Sequence, residues 1–564
     1  MVLVATYCHS GQLMNFRRKR NGLISLLLLS LSLVALLTYL AQPHQLPDLP
    51  RLPAQGNTAT IFLIDGLSND IFRKAMQQGK LPHIAALAAK GRYVENGIGS
   101  FPSMTGYAFF PFVTGTDAVQ SGILGLRWFD RQRNNDKFRN YVGRTHIHMN
   151  TDILPEHRTF FEQYQPYYTA SINSYMNRGV QEATMTGWAH TTAKYEGKSI
   201  FGWLRAIPYF GKYIAKNHFE HESAALEIAL QQVAHNPKIH WITFPSPDAY
   251  NHVFGTDSTY WQLLTHIDSL IGQYVAEVNR LGQGEQRLIA IVSDHGISDV
   301  RRNIDICQYL YEHTGIVAER GTSVNVWTSQ LTDDPILLDK SDAYFVINGN
   351  LCGYIYLKGG SDSLNAWTCQ PDYGDITQWV KNDSAYNLLQ VFANMEGIEL
   401  VAARQSSTIL SVQNQQGIAH IARHQRADGV YTYRYDTLSA DPFRYGHLGQ
   451  VAHLIGYDYT ASEWLRLTAN SDFPYAVPRL FEVMAQDKSP DLLFTSAAGY
   501  DVANDYEMFV GNYKGGHGGL RAELLSVPYI VYTPLQQKPD TLSAWRSEDL
   551  GAWIKQHLVV GKKR

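Results

Sequence analysis

Four short apolar runs along the chain predict buried strands. They are rich in Ile, Val and aromatic residues, which is typical of strands covered on both faces. The runs are TATIFLID (58–65), KIHWITFPS (238–246), RLIAIVSD (287–294) and VPYIVYTP (527–534). Helical patterns lie between them, at 68–91 and 258–281. Strands that alternate with helices predict an α/β fold with a central, largely parallel sheet flanked by helices.

The pattern changes over residues 340–475, where shorter strand-like pieces and more turn residues replace the long apolar runs. The segment STILSVQNQQGIAHIARH (407–424) has the form of a hairpin. Strand-like sequence of the first kind resumes near residue 527. We therefore interpret 340–475 as a smaller cap region inserted into one large domain that spans residues 57–560.

The N-terminus carries an uncharged apolar run, GLISLLLLSLSLVALLTYLA (22–41), directly after FRRKR (16–20) and Asn21. A helix of this length spans roughly 30 Å, the thickness of a bilayer core. The alternative is a cleaved signal peptide, but its apolar region would be shorter. Basic residues before the run predict that 1–21 is cytoplasmic and that the body is periplasmic or extracellular. The Pro-rich segment 42–56 is then a spacer between a single-pass transmembrane anchor and the domain.

Composition and charge exclude some classes of protein. The 45% hydrophobic and 18% charged residues are typical of a folded globular chain. With 48 basic and 51 acidic residues the net charge is −3, so we expect no binding to a nucleic-acid polymer. Of the four cysteines, Cys8 falls on the predicted cytoplasmic side. We expect Cys352 and Cys369 to be the pair that forms one disulfide, because they are near each other in sequence.

Candidate chemistry follows the predicted strands. Ligands in open α/β sheets bind beyond the carboxyl ends of the strands, and charged residues cluster at those ends here. An Asp after a strand is often a turn former or a helix cap, and a His in a Gly-rich loop is often only a loop residue. Taken together, however, three Asp and three His are suitable ligands for two zinc-like divalent ions. These residues are Asp65, Asp248, His252, Asp294, His295 and His517.

A further segment, SFPSMTGYAFFPFVTG (100–115), holds Thr105 in an apolar, aromatic-rich setting. This segment and the strand ends together resemble the type I phosphodiesterase/nucleotide pyrophosphatase family of the alkaline phosphatase superfamily. The matching motifs occur in the family's order and cover roughly residues 57–535. They are FLIDG (62–66), FPSMTGYAFFPFVTG (101–115), DAYNHVFG (248–255), SDHG (293–296) and GGHGG (515–519).

The resemblance implies a role for each of these residues. Thr105 would be the nucleophile, bound to one metal ion together with Asp65, Asp294 and His295. The second ion would be held by Asp248, His252 and His517. The expected cofactors are two divalent ions, with Zn²⁺ preferred. The implied reaction passes through a phospho-threonine intermediate that water hydrolyses.

Three features depart from the family pattern. Ala108 stands where the family has an Asn that donates to the phosphoryl oxygen, and Pro111 falls deeper in the helix expected after Gly106, which it should kink or delay. Arg127 stands where the family often has a neutral residue. We take Arg127 and Phe109 as candidate substrate contacts. The alternatives are a solvated or salt-bridged Arg127 and, for Phe109 and the neighbouring aromatic residues, plain core packing.

The sequence thus predicts a membrane-anchored phosphodiesterase acting outside the cytoplasm on a nucleotide or lipid-derived phosphoester. A phosphomonoesterase, which Arg127 would favour, is the near alternative. A second alternative is a transferase that passes the phosphoryl-linked group to a lipid or glycan acceptor. A non-catalytic protein with a relic site is the third, and the full set of ligand candidates argues against it.

Overall fold

The computed structural model describes residues 29–30, 32, 51–133, 137–142, 147–184, 218–320, 324–325, 330–331, 340–359, 367–448, 454–503, 513–534 and 544–558. The predicted anchor at 22–41 lies outside these ranges except for Leu29, Ser30 and Ser32, which are helical, and so does the first part of the predicted spacer. Within the described ranges, no helix has the length and apolar character needed to cross a membrane. The anchor and the spacer therefore stay predictions.

An eight-stranded sheet forms the centre of the α/β fold. In spatial order its strands are Trp545–Arg546, Arg92–Ile98, Ser526–Tyr532, Arg287–Val292, Thr58–Ile64, Ile239–Phe244, Thr169–Ile172 and Glu182–Thr184. The four apolar runs of the sequence are the four neighbouring strands in its middle, which confirms them as strands. Thr58–Ile64 pairs in parallel with both of its neighbours, whereas Ser526–Tyr532 is antiparallel to the strands on either side. The sheet is therefore largely parallel, as predicted.

Helices cover both faces of this sheet. Alternate side chains of Thr58–Ile64 enter two different hydrophobic cores, with Ile61 and Leu63 in one and Phe62 and Ile64 in the other. The pattern at 68–91 is two helices, because Gly79 turns the chain with a φ of +66° and Pro82 starts a new helix. The helices are Asn69–Gln77, Pro82–Lys90, Phe110–Thr114, Ile147–Asp152, Phe160–Gln163, His218–Val233, Ser246–Phe254, Ser258–Arg280, Ile306–Thr314, Tyr373–Thr377, Leu388–Ala393, Ala461–Thr468, Ala476–Met484, Ala522–Leu525 and Ser547–Leu558.

A second, nine-stranded sheet contains most of the strands between residues 318 and 496. Its spatial order is Ala318–Arg320, Ala343–Ile347, Cys352–Leu357, Leu492–Ser496, Ile398–Arg404, Ile409–Gln413, Ile418–Gln425, Tyr431–Thr437 and Asp458–Thr460. The antiparallel pair Ile409–Gln413 and Ile418–Gln425 confirms the hairpin expected at 407–424. Because the sheet also takes strands from before residue 340 and after residue 475, it is wider than the predicted insertion, whose bounds stay a prediction.

The remaining strands of the described chain form smaller sheets. Ser298–Asn303 lies between Gly499–Asp501 and Gly515–Gly516, so it brings the Gly-rich loop of His517 towards the end of the central sheet. The two-stranded ribbons are Arg127–Phe129 with Phe138–Asn140, Val324–Asn325 with Gln330–Leu331, and Trp379–Lys381 with Ser384–Tyr386.

The expected disulfide between Cys352 and Cys369 is wrong. Both residues are free thiols. Cys352 is fully buried at the start of the strand Cys352–Leu357, whereas Cys369 is exposed. Nearness in sequence does not bring two sulfurs to the roughly 2 Å that a disulfide requires.

Candidate metal centre and nucleophile

The candidate ligands meet because three of the central strands are neighbours. Asp65 directly follows Thr58–Ile64, and Asp294 and His295 come shortly after Arg287–Val292. The helix Ser246–Phe254, which carries Asp248 and His252, begins just after Ile239–Phe244. These strands are parallel, so their carboxyl ends lie side by side and the following residues converge at one edge.

The first group of candidate ligands contains Asp65, Asp294 and His295, all of them buried. One potential ligand atom from each lies within 4.8 Å of the others. Nε2 of His295 is 3.5 Å from Oδ1 of Asp65 and 3.4 Å from Oδ2 of Asp294. The resemblance predicted these same three residues as the protein ligands of the first ion.

The second group centres on Asp248. Its carboxylate lies 3.3 Å from Nε2 of His252, one helical turn later, and 3.9 Å from Nε2 of His517. Potential ligand atoms of Asp248, His295 and His517 also fall within 4.8 Å of one another. His295 therefore borders both groups, although the resemblance places it with the first ion alone.

Thr105 lies at the border of the first group. Its hydroxyl Oγ1 is 3.2 Å from Oδ1 of Asp65 and 3.0 Å from Nε2 of His295. Gly106 follows with a φ of +81°, which lets the chain turn sharply into the short 3₁₀ helix Tyr107–Phe109 and then into Phe110–Thr114. Pro111 falls in the first turn of that α-helix, where its missing N–H is tolerated, so it delays the helix start.

All three histidines are held in the same tautomer. Nδ1 of His252 bonds to the carbonyl of Gly515 at 2.8 Å, and Nδ1 of His295 bonds to the carbonyl of Gly296 at 3.0 Å. Nδ1 of His517 bonds to the carbonyl of Ser103 at 2.9 Å. A carbonyl oxygen can only accept, so Nδ1 carries the proton in each ring. In the neutral form of each ring the Nε2 lone pair faces a carboxylate, which is how metal-binding histidines are oriented by the hydrogen bonds of their other nitrogen.

The electrostatics of the cluster fit bound cations. Burial, with repulsion from Asp294 and Asp248, raises the pKa of Asp65 well above its ordinary value. Burial also raises the pKa of Asp294, although attraction to His295 opposes the effect. Neither carboxylate oxygen of Asp294, nor Oδ1 of Asp248, has a hydrogen-bond partner among the described residues. Buried carboxylate oxygens and imidazole nitrogens that face one another are the donor set that a divalent ion satisfies once it has displaced their protons.

The pKa values of Asp248 and His517 are lowered, whereas those of Asp65 and Asp294 are raised. Burial opposes ionisation of Asp248, but attraction to protonated His252 and a hydrogen bond with it lower the pKa of Asp248 below the ordinary value in the metal-free site. Burial, with repulsion from His295, lowers the pKa of His517 well below its ordinary value. Asp248 is therefore held as a carboxylate and His517 as a neutral imidazole, the forms that bind metal, whereas His252 must release its Nε2 proton when metal binds.

Glycine is required at two positions near the site, where the backbone approaches another segment closely. A side-chain carbon at Gly66, where φ is +69°, would lie 2.9 Å from the Cβ and Oδ1 atoms of Asp248. A side-chain carbon at Gly518, where φ is +116°, would lie 2.2 Å from the carbonyl oxygen of Asn348. Both glycines let a ligand-bearing segment approach its neighbour closely.

The two candidate substrate contacts are buried. Phe109 is fully buried and packs against Trp241, with ring centroids 5.6 Å apart, which favours the core-packing alternative. Arg127 is only 2% exposed, so it is not the solvated arginine of the other alternative. Its backbone N–H and C=O both bond to the side-chain amide of Asn348. Ala108 is likewise buried, and its N–H bonds to the carbonyl of Met104. The role of Arg127 and Phe109 in binding stays a prediction.

Sequence reasoning missed Ser103, which joins the nucleophile segment to the His517 loop. Its hydroxyl donates to the carbonyl of Gly519 at 3.0 Å and accepts from the N–H of Gly518 at 3.1 Å. Its own carbonyl accepts the bond from His517 described above. The available signal was a small polar residue two positions before Thr105 in an otherwise apolar run.

Comparisons with known proteins find similarity in sequence and in structure. A sequence model of the type I phosphodiesterase / nucleotide pyrophosphatase family matches residues 59–353. No curated protein matches the chain. Among solved structures, human ectonucleotide pyrophosphatase/phosphodiesterase 5 is similar at 13% identity, over 90% of this chain and 96% of that one, with a TM-score of 0.49. Phosphonoacetate hydrolase from Sinorhizobium meliloti shows the same identity and coverage with a TM-score of 0.46.

Proposed function

The chain belongs to the type I phosphodiesterase / nucleotide pyrophosphatase family, and on that basis we propose that it is a phosphodiesterase with Thr105 as its nucleophile. The observation that carries the proposal is the position of the Thr105 hydroxyl, within 3.2 Å of Asp65 and 3.0 Å of His295. A threonine at the border of two acid–histidine groups suits nucleophilic attack on phosphorus.

Two divalent ions, for which we propose Zn²⁺, would be held by Asp65, Asp294 and His295 and by Asp248, His252 and His517. When bound, such ions make a hydroxyl ionise more readily and neutralise charge on phosphoryl oxygens. The fit rests on the donor set itself: buried carboxylate oxygens without hydrogen-bond partners among the described side chains, and imidazoles whose Nε2 lone pairs face them.

The residues of the chain then have separate tasks. Asp65 and His295 both lie within reach of the Thr105 proton, so they hold the hydroxyl and orient its oxygen for attack. The Oγ1–P bond forms as the bond from phosphorus to the leaving oxygen breaks, and the Thr105 proton departs with the leaving oxygen. Water next attacks phosphorus, the Oγ1–P bond breaks, and one proton of that water returns to Thr105. Such a reaction depends mainly on positioning and on charge complementarity.

We propose a phosphodiester of a nucleotide or of a lipid as the substrate class. The proposal also includes the N-terminal anchor at 22–41, with the catalytic domain outside the cytoplasm. The support is the length of the apolar run, the basic residues before it, and the exposure of Leu29, a helical residue within it that is 74% exposed.

The test is hydrolysis of bis-p-nitrophenyl phosphate and p-nitrophenyl phosphate by the purified full-length chain with added Zn²⁺. We expect the diester to be the better substrate. Thr105→Ala should abolish turnover, whereas Thr105→Ser should restore part of it because it keeps a hydroxyl. Thr116→Ala serves as the control, because it removes a threonine directly after the same segment, whose hydroxyl bonds to that of Thr114 and not to the site.

Each outcome decides one part of the proposal. Full activity in Thr105→Ala would exclude it as the nucleophile, and absence of turnover with both esters would exclude the hydrolase. Release of product only after addition of a lipid or glycan acceptor would identify a transferase instead.

A further inference from the structure

The helix that carries two candidate ligands does not cap its own start. Ser246–Phe254 follows Pro245, and no side chain of the usual capping position accepts a hydrogen bond there. The first N–H groups of any helix lack partners within the helix, and a buried one needs a partner from elsewhere. Asp248 and His252 both depend on where this helix begins.

A carboxylate from a different helix supplies that partner. Oε1 of Glu222, on His218–Val233, accepts the N–H of Ser246 at 2.7 Å. Glu222 and Ser246 are both fully buried. The imidazole of His221 lies 3.4 Å from the Ser246 hydroxyl, so two adjacent side chains hold the same residue.

The two helices also touch one turn further along. The ring of His218 packs edge-to-face against Tyr250, with centroids 5.6 Å apart. The contact at Glu222 is therefore part of a defined packing between the helices, and the start of the ligand helix cannot shift without disturbing both points.

We propose that Glu222 is a positioning residue for the second metal site. Its carboxylate fixes the beginning of Ser246–Phe254, and thereby the place of Asp248 two residues later and of His252 one turn beyond. This inference rests on the proposed function, because it takes Asp248 and His252 to be metal ligands. Glu222 itself touches neither the metal nor the substrate.

The second oxygen of Glu222 adds to this assignment. Oε2 is buried and has no hydrogen-bond partner in the part of the chain that the structure describes. Burying a carboxylate lowers the stability of the fold unless the group is paired or hydrogen-bonded. A Glu that caps a helix in the interior therefore reduces stability. Its negative charge near the start of the ligand helix interacts favourably with the helix dipole and with a nearby cation.

The contact predicts a selective effect on metal binding. Glu222→Ala leaves the Ser246 N–H buried without its acceptor, so the helix start should shift and weaken the second ion. Glu222→Gln keeps an oxygen acceptor at the same place and should retain most of the affinity. Asp65, Asp294 and His295 are carried by other elements, so the first ion should stay bound.

The experiment titrates the full-length chain with Zn²⁺ against a competing chelator dye. Wild type should bind two ions, and Glu222→Ala should bind one normally and the second about 10–100-fold more weakly, as for other outer-shell residues. Glu227→Ala, which removes an exposed Glu from the same helix, is the matched control and should bind as wild type. Fewer than two ions in wild type would overturn the proposed function and this inference together. Two ions bound equally tightly by Glu222→Ala, or equal weakening of both, would overturn the inference alone.

A second measurement is independent of metal. In metal-free protein, hydrogen exchange of peptides covering 246–254 should be faster in Glu222→Ala than in wild type, in Glu222→Gln or in Glu227→Ala. Unchanged exchange would also overturn the assignment.

Discussion

The imidazole rings of His295 and His517 stack nearly parallel, with centroids 3.9 Å apart and an angle of 16° between their planes. The two rings come from distant parts of the sequence, His295 from the residues after a central strand and His517 from a Gly-rich loop. Two imidazolium ions could not share this spacing without strong repulsion. Because each Nδ1 donates to a carbonyl oxygen, Nε2 is the atom of each ring that is left to bind a cation.

The first prediction is that affinity for Zn²⁺ falls as the pH falls, and that carboxyls limit it more than His517 does. The pKa values of Asp65 and Asp294 are raised by burial and by carboxylate repulsion, so metal binding must displace protons from them. The pKa of His517 is lowered, so this ring stays neutral. Each displaced proton should weaken the apparent affinity by about tenfold per pH unit.

The measurement is a series of Zn²⁺ titrations between about pH 8 and about pH 5. Asp294→Asn should give a shallower slope, because that position no longer titrates, whereas His517→Gln should weaken binding with the slope unchanged. An affinity that does not vary with pH in wild type would contradict the raised carboxyl pKa values.

A second prediction concerns stability without metal. Asp294 is fully buried, and attraction to His295 and to nearby backbone N–H groups offsets only part of the cost of burying its charge, so this charge destabilises the metal-free fold. Asp294→Asn should therefore raise the free energy of unfolding by about 1–2 kcal/mol at neutral pH. A raised pKa means that the folded state holds the proton more tightly than the unfolded state. The gain should thus be full above the raised pKa, shrink as the pH falls below it, and vanish near the ordinary pKa of an Asp.

Urea unfolding in the presence of a chelator measures this effect, with the exposed Asp299→Asn as the control. Added Zn²⁺ should reverse the order, since ligand binding stabilises wild type more than the variant. Destabilisation of the metal-free Asp294→Asn protein would contradict this interpretation.

The central strands and the residues at their ends were predictable from sequence because local composition decides both. An uninterrupted apolar run such as TATIFLID is buried on both faces, and parallel strands place their following residues at one edge. That reasoning brought Asp65, Asp294 and His295 together before any distance was known. The spacing of Asp248 and His252 needed only a helix, which the structure has.

Contacts that depend on tertiary packing were not predictable in this way. Ser103 and Glu222 act through partners more than twenty residues away in sequence, which local composition does not reveal. The aromatic residue Phe109 could line a pocket or fill a core equally well by composition, and only its packing against Trp241 favours the core. The pairing of Cys352 with Cys369 failed because sequence nearness says nothing about the direction of two side chains.

The third prediction follows from the free thiols. Cys369 is exposed and should react with a thiol reagent in the native protein, whereas Cys352 is fully buried and burial raises its pKa well above the ordinary value. Burial also raises the pKa of Cys307 to about 11, so it should react slowly. Among the three cysteines that the structure describes, Cys369→Ser should remove the fast-reacting thiol, and it should leave the Tm unchanged with or without reductant. A reductant-dependent Tm that Cys369→Ser abolishes would show that a disulfide involves this residue after all.

The last prediction is that Ser103 joins the nucleophile to the second metal group. Ser103→Ala removes the hydroxyl that donates to the Gly519 carbonyl and accepts from the Gly518 N–H, the two residues directly after His517. The loop should loosen, and the bond from His517 to the Ser103 carbonyl should lengthen. We expect a loss of about 10–100-fold in affinity for the second ion, and a similar loss in turnover at limiting Zn²⁺.

The matched control is Ser100→Ala. Ser100 is fully buried in the same segment, but its hydroxyl lies 3.5 Å from that of Ser547, away from the ligands. Both substitutions remove one buried hydroxyl and should lower the free energy of unfolding by about 1–3 kcal/mol, so a difference in Zn²⁺ affinity between them cannot come from stability alone. Restoration of turnover by excess Zn²⁺ in Ser103→Ala would show that the hydroxyl acts by holding His517. A loss that excess Zn²⁺ does not restore would place the defect at Thr105 instead, and equal Zn²⁺ affinity in the two variants would contradict the coupling.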